Sequence, residues 1–529
     1  MRILKLHINH QKIYYISLLL VAASLPLSKF AVSVSMITLA TNWVLEGHFA
    51  EKMKNLKNNP SILIFCGIFL VHLLWLLNTS NFHYAFFDLK NKLILIVFPL
   101  IIGTSPTLKK SHFKFLLLLF SLSVGISTLI STSVLLGIID YPINDIRDIS
   151  LFFSHIRLSL LINMSIFSLA YLLFSTNFNK TRFEFIAYSL TILWLVYFLF
   201  LLKSLTGIII FLILFFLVAG YYSFRIKELV LRLFVQVLMI TLFLWIATFL
   251  THAISKFYAV EKVDFDNLEQ FTASGNPYQH NTKLKQIENG YYVWLYVCPQ
   301  ELKKEWNRKS DIPYEAKDKK GQQIKTTLIR YLTSKGFRKD SVGMSKLTSV
   351  DIKNIENGIA NYIYTNRYAL YPKIYQTIWE IDVYRKGANP AGNSITQRWE
   401  FLKTAFSIIQ NNFWFGTGTG DVQDAFDAQY EINKSVLPPE KRLRTHNQYV
   451  TFFVSFGLTG FLIIMFCIFF PLFKQKGFRN YLFMVFFLIA MLSMITEDTL
   501  ENQIGVTFFS YFYTLFLFGN AFKLKKDDE

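Results

Sequence analysis

The chain is poor in charge. Only 17% of its 529 residues are Asp, Glu, Lys or Arg, against about 25% in an ordinary soluble domain. That shortfall excludes a wholly soluble globular protein. Cysteine is scarce too. Cys66, Cys298 and Cys467 are the only three, the first and last lie in apolar runs, and no Cys-x-x-Cys occurs. A disulfide framework is thereby excluded. No internal repeat and no low-complexity tract is visible. The alternating pattern of an outer-membrane barrel, with segments of about ten residues, is missing as well. What is present is apolar: 53% of residues are hydrophobic and the mean hydropathy is +0.36. Apolar runs of about 20 residues recur before Thr251 and after His446, each long enough to cross ~30 Å of hydrocarbon. The reading is an all-α polytopic membrane protein.

The runs fall near 13–26, 30–45, 60–78, 92–105, 112–139, 151–175, 184–202, 205–222, 229–251, 447–473, 480–496 and 503–522, which makes about 12 spans. The 92–105 run is short, carries Pro99, and reads equally as re-entrant. The first run resembles a secretory signal, with a basic start and Ala22-Ala23-Ser24, but spans follow at once, so it is read as an uncleaved helix. With the N-terminus inside, the cytoplasmic segments hold twenty Lys and Arg. They include Arg2, Lys5 and Lys12 at one end and Lys523, Lys525 and Lys526 at the other. The short outer loops hold five: Lys29, Lys90, Lys92, Arg147 and Lys203. This bias sets the orientation. It also accounts for much of the +19 net charge, which suggests an anionic partner but not nucleic acid.

Three segments result: a membrane domain over 1–251, a polar insert over 252–445 between spans 9 and 10, and a membrane domain over 446–529. The topology puts the insert outside, which is the periplasm in a Gram-negative bacterium. The insert reads as mainly helical. A strand is expected over Tyr291–Val297, loop across 303–323, and helices over Thr326–Lys335, from Ser349, and from Pro372. The insert is expected to be held over the outer mouth of a membrane cavity.

The chemistry concentrates at the end of the insert. Ser394-Ile395-Thr396-Gln397 has capping-box spacing, which puts Arg398 in a helical first turn. Anions are favoured there and a cation is not. Arg398 therefore suggests an anionic partner, or else a surface ion pair with Glu400 or Asp421. Gly416-Thr417-Gly418-Thr419-Gly420 is neither a Walker loop nor a dinucleotide fingerprint. It reads as a tight turn that lets backbone approach a ligand or a helix. His446 stands at the start of a span, where Thr445 or Asn447 can cap the helix. Its imidazole can take a proton from a hydroxyl near neutral pH, or be structural. Arg157, beside His155, lies near the outer end of its run, where arginine is a functional candidate or snorkels to the interface. Lys203 stands in the tight outer turn Lys203-Ser204-Leu205-Thr206-Gly207. Glu497, Asp498 and Glu501 make an acidic outer loop that either pairs with these cations or binds nothing. The topology sets Arg157, Lys203, Arg398, His446 and Glu497 on one side of the membrane. Two or three cations at a hydrocarbon boundary match a lipid-linked diphosphate, and no metal-ligand cluster of the usual spacing accompanies them. The rival class is a polysaccharide or lipid transporter, or a binding scaffold. A transporter places ionisable groups near mid-membrane in repeated halves, which this chain does not show.

At these residues the chain resembles the O-antigen ligase and polymerase superfamily. The resemblance rests on Gln397-Arg398-Trp399, Gly416 to Asp421, and Thr445-His446-Asn447-Gln448-Tyr449 with Gly457 and Gly460. Leu25-Pro26-Leu27-Ser28 and His155-Ile156-Arg157 add to it. Thr496-Glu497-Asp498 with Gln503-Ile504-Gly505-Val506 is similar to members from Bacteroidetes-type bacteria. Leu205 departs from the family, which often has arginine there. The resemblance implies a GT-C-like frame and an inverting glycosyltransferase that needs no metal or cofactor. It implies an undecaprenyl-diphosphate-linked glycan as donor. The implied acceptor is lipid A–core first, with a glycan or a protein as alternatives. Arg157 and Arg398 would hold the diphosphate with Lys203 in doubt, and His446 would activate the acceptor hydroxyl. His155, Gly416, Gly418, Asn447, Glu497 and Asp498 would support them. The implied location is the bacterial inner membrane, with both termini cytoplasmic.

Overall fold

The structure is a computed structural model, and it describes residues 9–143, 145–366, 369–387 and 389–519. Arg2, Lys5, Lys523, Lys525 and Lys526 lie outside the described residues. The chain is mostly helical and forms two compact units, 1–222 with 387–529, and 223–386.

The first unit carries α1 (His10–Ser24), α2 (Lys29–Glu46), α3 (Phe49–Asn58), α4 (Ser61–Leu74), α5 (Phe82–Lys92), α6 (Ile94–Thr104) and α7 (Lys110–Leu135). It continues through α8 (His155–Phe174), α9 (Arg182–Leu201) and α10 (Leu205–Ser223). The second unit holds α11 (Leu229–Tyr258), α12 (Pro299–Lys309), α13 (Ile324–Ser334), α14 (Ser341–Ser345), α15 (Ser349–Glu356) and α16 (Tyr371–Arg385). The chain then returns to the first unit with α17 (Ser394–Asn411), α18 (Val422–Ile432), α19 (Gln448–Lys474), α20 (Tyr481–Thr496) and α21 (Gln503–Leu517). The last third of the polar stretch, from Gly387, is thus part of the unit that contains most of the apolar helices.

Among the described residues, seven helices are long and apolar enough to cross a membrane. The bent pair α2–α3, with 108° between its halves, makes an eighth if counted as one span. The protein is a multi-pass membrane protein. The other predicted runs are helical but short. The helices α1, α6, α20 and α21 have 15, 11, 16 and 15 residues, and at ~1.5 Å per residue none reaches ~30 Å. Pro99 lies inside the shortest of them.

Helix α21 is the centre of the first unit. Every residue from Ile504 to Phe516 is buried. A helix apolar all round belongs inside a bundle, and its rings interlock with those of four other helices. Tyr513 stacks on Phe65 at 4.2 Å, Phe512 meets Phe120 at 5.1 Å, Tyr511 meets Phe98 at 5.4 Å and Phe508 meets Phe486 at 5.5 Å. The first helix packs on α2 and α7, with Leu18, Val21 and Ala22 fully buried.

The second unit has its own core around Trp306, Leu328, Tyr331, Leu332, Ile352 and Ile355. Helices α13, α15 and α16 fall where the sequence put them, and Gly336 ends the first of these in a left-handed conformation at φ 70°. The expected strand shrinks to a hairpin of Ile287–Glu288 with Tyr291–Tyr292. The 303–323 loop is corrected in part, because Pro299–Lys309 is helical. Leu302 and Trp306, four apart, are buried there on one face of an otherwise charged helix, too sparse a pattern to outweigh the charge.

Candidate functional site

Three carboxylates lie within five residues of each other between α20 and α21, and each holds a different partner. The connection is pinned at both ends. Glu497 leaves α20 in extended conformation, and the Asn502 side chain caps α21 by accepting from Gly505 N–H at 2.9 Å.

Glu497 Oε1 accepts from Arg398 Nη2 at 2.6 Å. This corrects the local pairings expected for Arg398. Glu400 pairs with Lys403 at 2.8 Å, and Asp421 accepts from the backbone N–H groups of Ser80 and Asn81 at 2.7 and 2.6 Å. The expected capping box is corrected too. Asn393 is the N-cap residue without a side-chain cap bond, Ser394 is the first helical residue, and Arg398 is the fifth. Arg157 comes from the first turn of α8, where Ser154 caps the helix and also accepts from Arg157 Nη1 at 3.3 Å. The guanidinium and Glu497 line one cleft together with Leu160, Leu161, Ile504 and Phe508. These two charged residues are set among apolar walls.

His446 lies within electrostatic reach of the same carboxylate. Its backbone is left-handed at φ 50°, a sparsely populated conformation for a residue with a Cβ. Asp498 holds it there, accepting from His446 N–H at 3.1 Å and from Thr451 Oγ1 at 2.7 Å. Asn447 then caps α19 and donates to Ile495 O at 2.9 Å. The imidazole lies against Phe401 at 5.8 Å between ring centroids. Burial lowers its pKa below the ordinary histidine value; Arg398 and Arg157 add to this, and Glu497 opposes them. Burial pushes the Glu497 carboxyl up, against the pull of Arg398, His446 and Arg157. Four of the predicted residues are therefore electrostatic neighbours: Arg157, Arg398, His446 and Glu497.

The Lys203 turn stands next to them. Lys203 is buried and left-handed at φ 52°. Ser204 Oγ donates to Ser159 Oγ on α8 at 3.1 Å, and Thr206 Oγ1 lies 3.2 Å from Thr496 Oγ1, the residue before Glu497. His155 is the first residue of α8.

Gly416 and Gly418 serve a different end. Helix α19 is broken at Gly457, where φ is 63° and ψ is −169°. The loop before α18 fills the break. Thr417 and Gly418 N–H donate to Val454 and Ser455 O, both at 2.9 Å, while Leu458 and Thr459 N–H donate to Phe413 and Trp414 O at 2.8 and 3.2 Å. The four backbone groups that the break would orphan are thus paired. A Cβ on Gly457 would meet Trp414 and Phe415 backbone at 2.4 Å, and one on Gly418 would meet Asn78 O at 2.1 Å. Gly457→Ala is accordingly expected to abolish the monodisperse folded protein in detergent. Size-exclusion chromatography checks this, and a wild-type profile would refute it.

Glu501 anchors a second, buried cluster that the sequence did not reveal. Its Oε1 is 3.0 Å from Lys92 Nζ and accepts from Gln448 Nε2 at 3.0 Å. Arg444 approaches Oε2 at 3.7 Å and donates to Tyr84 and Gln423. Asp88 flanks Lys92 at 3.5 Å. Burial alone would raise the Glu501 pKa, but Lys92 and Arg444 prevail and hold it at about 2. With Thr419, Ser455 and His72, this cluster lines a small polar cavity. The acidic loop was legible as charge, and Lys92 as one outer cation among five, but their pairing was not. Among the described residues, no three His, Cys, Asp or Glu are grouped to hold a metal ion.

Residues 358–465 match the model of a known family, Wzy_C, described as O-antigen ligase. This match supports the resemblance to the O-antigen ligase and polymerase superfamily read from the sequence. The matched segment contains Arg398, Gly416 to Gly420, His446 and Gly457, and it excludes Arg157, Lys203 and the acidic loop. No curated protein matches the chain.

Proposed function

We propose, from the O-antigen ligase match over residues 358–465, that the chain moves a glycan from undecaprenyl diphosphate to an acceptor hydroxyl at the outer face of the bacterial inner membrane. Lipid A–core is the preferred acceptor. The observation that carries this reading is the electrostatic grouping of Arg157, Arg398 and His446 around Glu497, which with Arg157 lines a cleft of apolar walls. Guanidinium groups match phosphate oxygens in charge and geometry, and apolar walls suit an isoprenoid chain. The arginines hold the diphosphate and stabilise the negative charge it gains on leaving. His446 takes the acceptor proton, which requires the neutral imidazole that its lowered pKa favours. The acceptor oxygen bonds to the anomeric carbon as the bond to the diphosphate breaks, inverting that centre, with no metal required. Lys203, next to this group in the chain's fold, is a weaker candidate for the diphosphate. In this reading the N- and C-termini are cytoplasmic and residues 252–445 are periplasmic.

A complementation assay tests it. Surface glycans from a strain lacking the protein are run on a gel after supplying wild type, Arg398→Ala or His446→Ala at matched membrane levels. Ligation predicts long glycan on lipid A–core with wild type only. A single repeat unit on the core in the mutants points to a polymerase. Glycan missing from proteins alone points to a protein glycosyltransferase. Mutants that behave as wild type would refute the site.

A further inference from the structure

The hydrogen bond from Arg398 to Glu497 poses a chemical problem for the proposed reaction, on which this inference rests. A guanidinium that clamps a diphosphate has to present its N–H groups to phosphate oxygens. Here one of them is already given to a carboxylate at 2.6 Å, and the pair is half-buried. The carboxylate therefore occupies ground that a phosphate would claim. Glu497 also lies in the electrostatic reach of Arg157 and His446. Asp498, the neighbouring acid, is committed elsewhere, to the His446 backbone N–H and the Thr451 hydroxyl. Glu497 is thus the acid placed to serve either the arginines or the imidazole.

We propose that Glu497 is a positioning residue with two partners. Without donor its carboxylate closes Arg398. When a sugar-linked diphosphate takes the arginines, the carboxylate is displaced toward the imidazole of His446, which it then supports as base.

Charge explains why the exchange is useful. Two arginines beside an imidazole disfavour its protonated form, and Arg398 and Arg157 act on His446 in that direction. A base must nonetheless accept a proton as the acceptor oxygen attacks. In the transfer step that proton passes from the hydroxyl to His446, the oxygen bonds to the anomeric carbon, and the electron pair of the broken bond leaves on the diphosphate. The imidazole gains a positive charge while the leaving group gains a negative one. A carboxylate freed from Arg398 stabilises the first as the arginines stabilise the second. The groups facing His446 are Arg398 from α17, Arg157 from α8 and Glu497 from the α20–α21 connection, with Asp498 on its backbone N–H. The same exchange keeps the base weak when no donor is bound, which guards against stray proton transfer.

The test is Glu497→Gln, which keeps the shape and removes the charge. Transfer is measured in nanodiscs with a lipid-diphosphate-linked glycan donor across pH 5 to 8. The expected result is a split: KM for the donor falls several-fold, because the competing carboxylate is gone, while kcat falls by ~10-fold or more. The acid limb of the rate profile moves to lower pH, because the imidazole has lost the charge that raised its pKa. Glu497→Asp, which keeps the charge on a shorter arm, is expected to lower KM as well yet retain the acid limb. It also decides the matter if the glutamine variant fails to accumulate. Unchanged KM in the variants, or a raised KM with the pH profile intact, would overturn the exchange. Wild type that transfers nothing from this donor overturns the underlying reading and this inference with it. Wild-type transfer with unaltered variants overturns this inference alone.

Discussion

His446→Ala is expected to slow glycan transfer by ~10²–10⁴-fold, the usual contribution of a positioned general base. The expectation rests on placement. The imidazole stands at the start of α19, is fixed by Asp498 through its own backbone N–H, and adjoins the two arginines proposed to hold the leaving group. Its pKa is below the ordinary value, and the active form is the neutral one. The wild-type rate should thus be flat above neutrality and fall only as pH drops through that lowered pKa. The residual rate of His446→Ala should lack this limb. Arg398→Ala is expected to cost ~10²–10³-fold in kcat, like other donors aimed at developing negative charge. Arg398→Lys should restore only part of this, since an ammonium lacks the planar fork. Rates are compared in nanodiscs at matched protein levels. A His446→Ala enzyme with a wild-type rate and pH profile would remove the residue from the mechanism.

Lys92→Met is expected to be strongly destabilising. The ammonium is fully buried against Glu501 at 3.0 Å and Asp88 at 3.5 Å. Removing it takes the cation from Asp88 and leaves Glu501 with Arg444 and Gln448 in a buried site. Breaking a buried pair in this way costs about 3–5 kcal/mol. The melting temperature in detergent should fall by many degrees, and the double variant Lys92→Met, Glu501→Gln should recover part of the loss. No recovery would mean that the ion pair is not the cause. The sign of the pH dependence also follows. Glu501 is depressed to about 2 in the folded protein, so its contribution is present above the unfolded carboxylate pKa. It is lost as pH falls toward the folded one, and Lys92→Met should weaken that dependence, with Arg444 and Gln448 sustaining the remainder.

Much of this molecule was legible as pattern. The membrane class followed from hydropathy, and each predicted apolar run is helical. The second unit's helices from Ile324, Ser349 and Tyr371 followed from apolar spacing and glycine or proline punctuation. Arg157, Arg398, His446 and Glu497 were named from residue type and topology. Span count was less legible. Runs such as Gln503–Leu517 are short helices packed inside the bundle, and hydropathy does not distinguish a buried run from a spanning one.

The sequence by itself determined where helices form and which stretches are apolar. Those properties depend on residues within a few turns of one another. Only the tertiary structure decided who pairs with whom. Arg398 takes a carboxylate 99 residues away rather than Glu400 or Asp421, and Lys92 takes one 409 residues away. The glycine-rich loop, read as approaching a ligand or a helix, pairs with the backbone of a broken helix. Ion pairs and backbone hydrogen bonds act over a few ångströms of space, and spacing along a chain carries no record of that distance once the chain has folded.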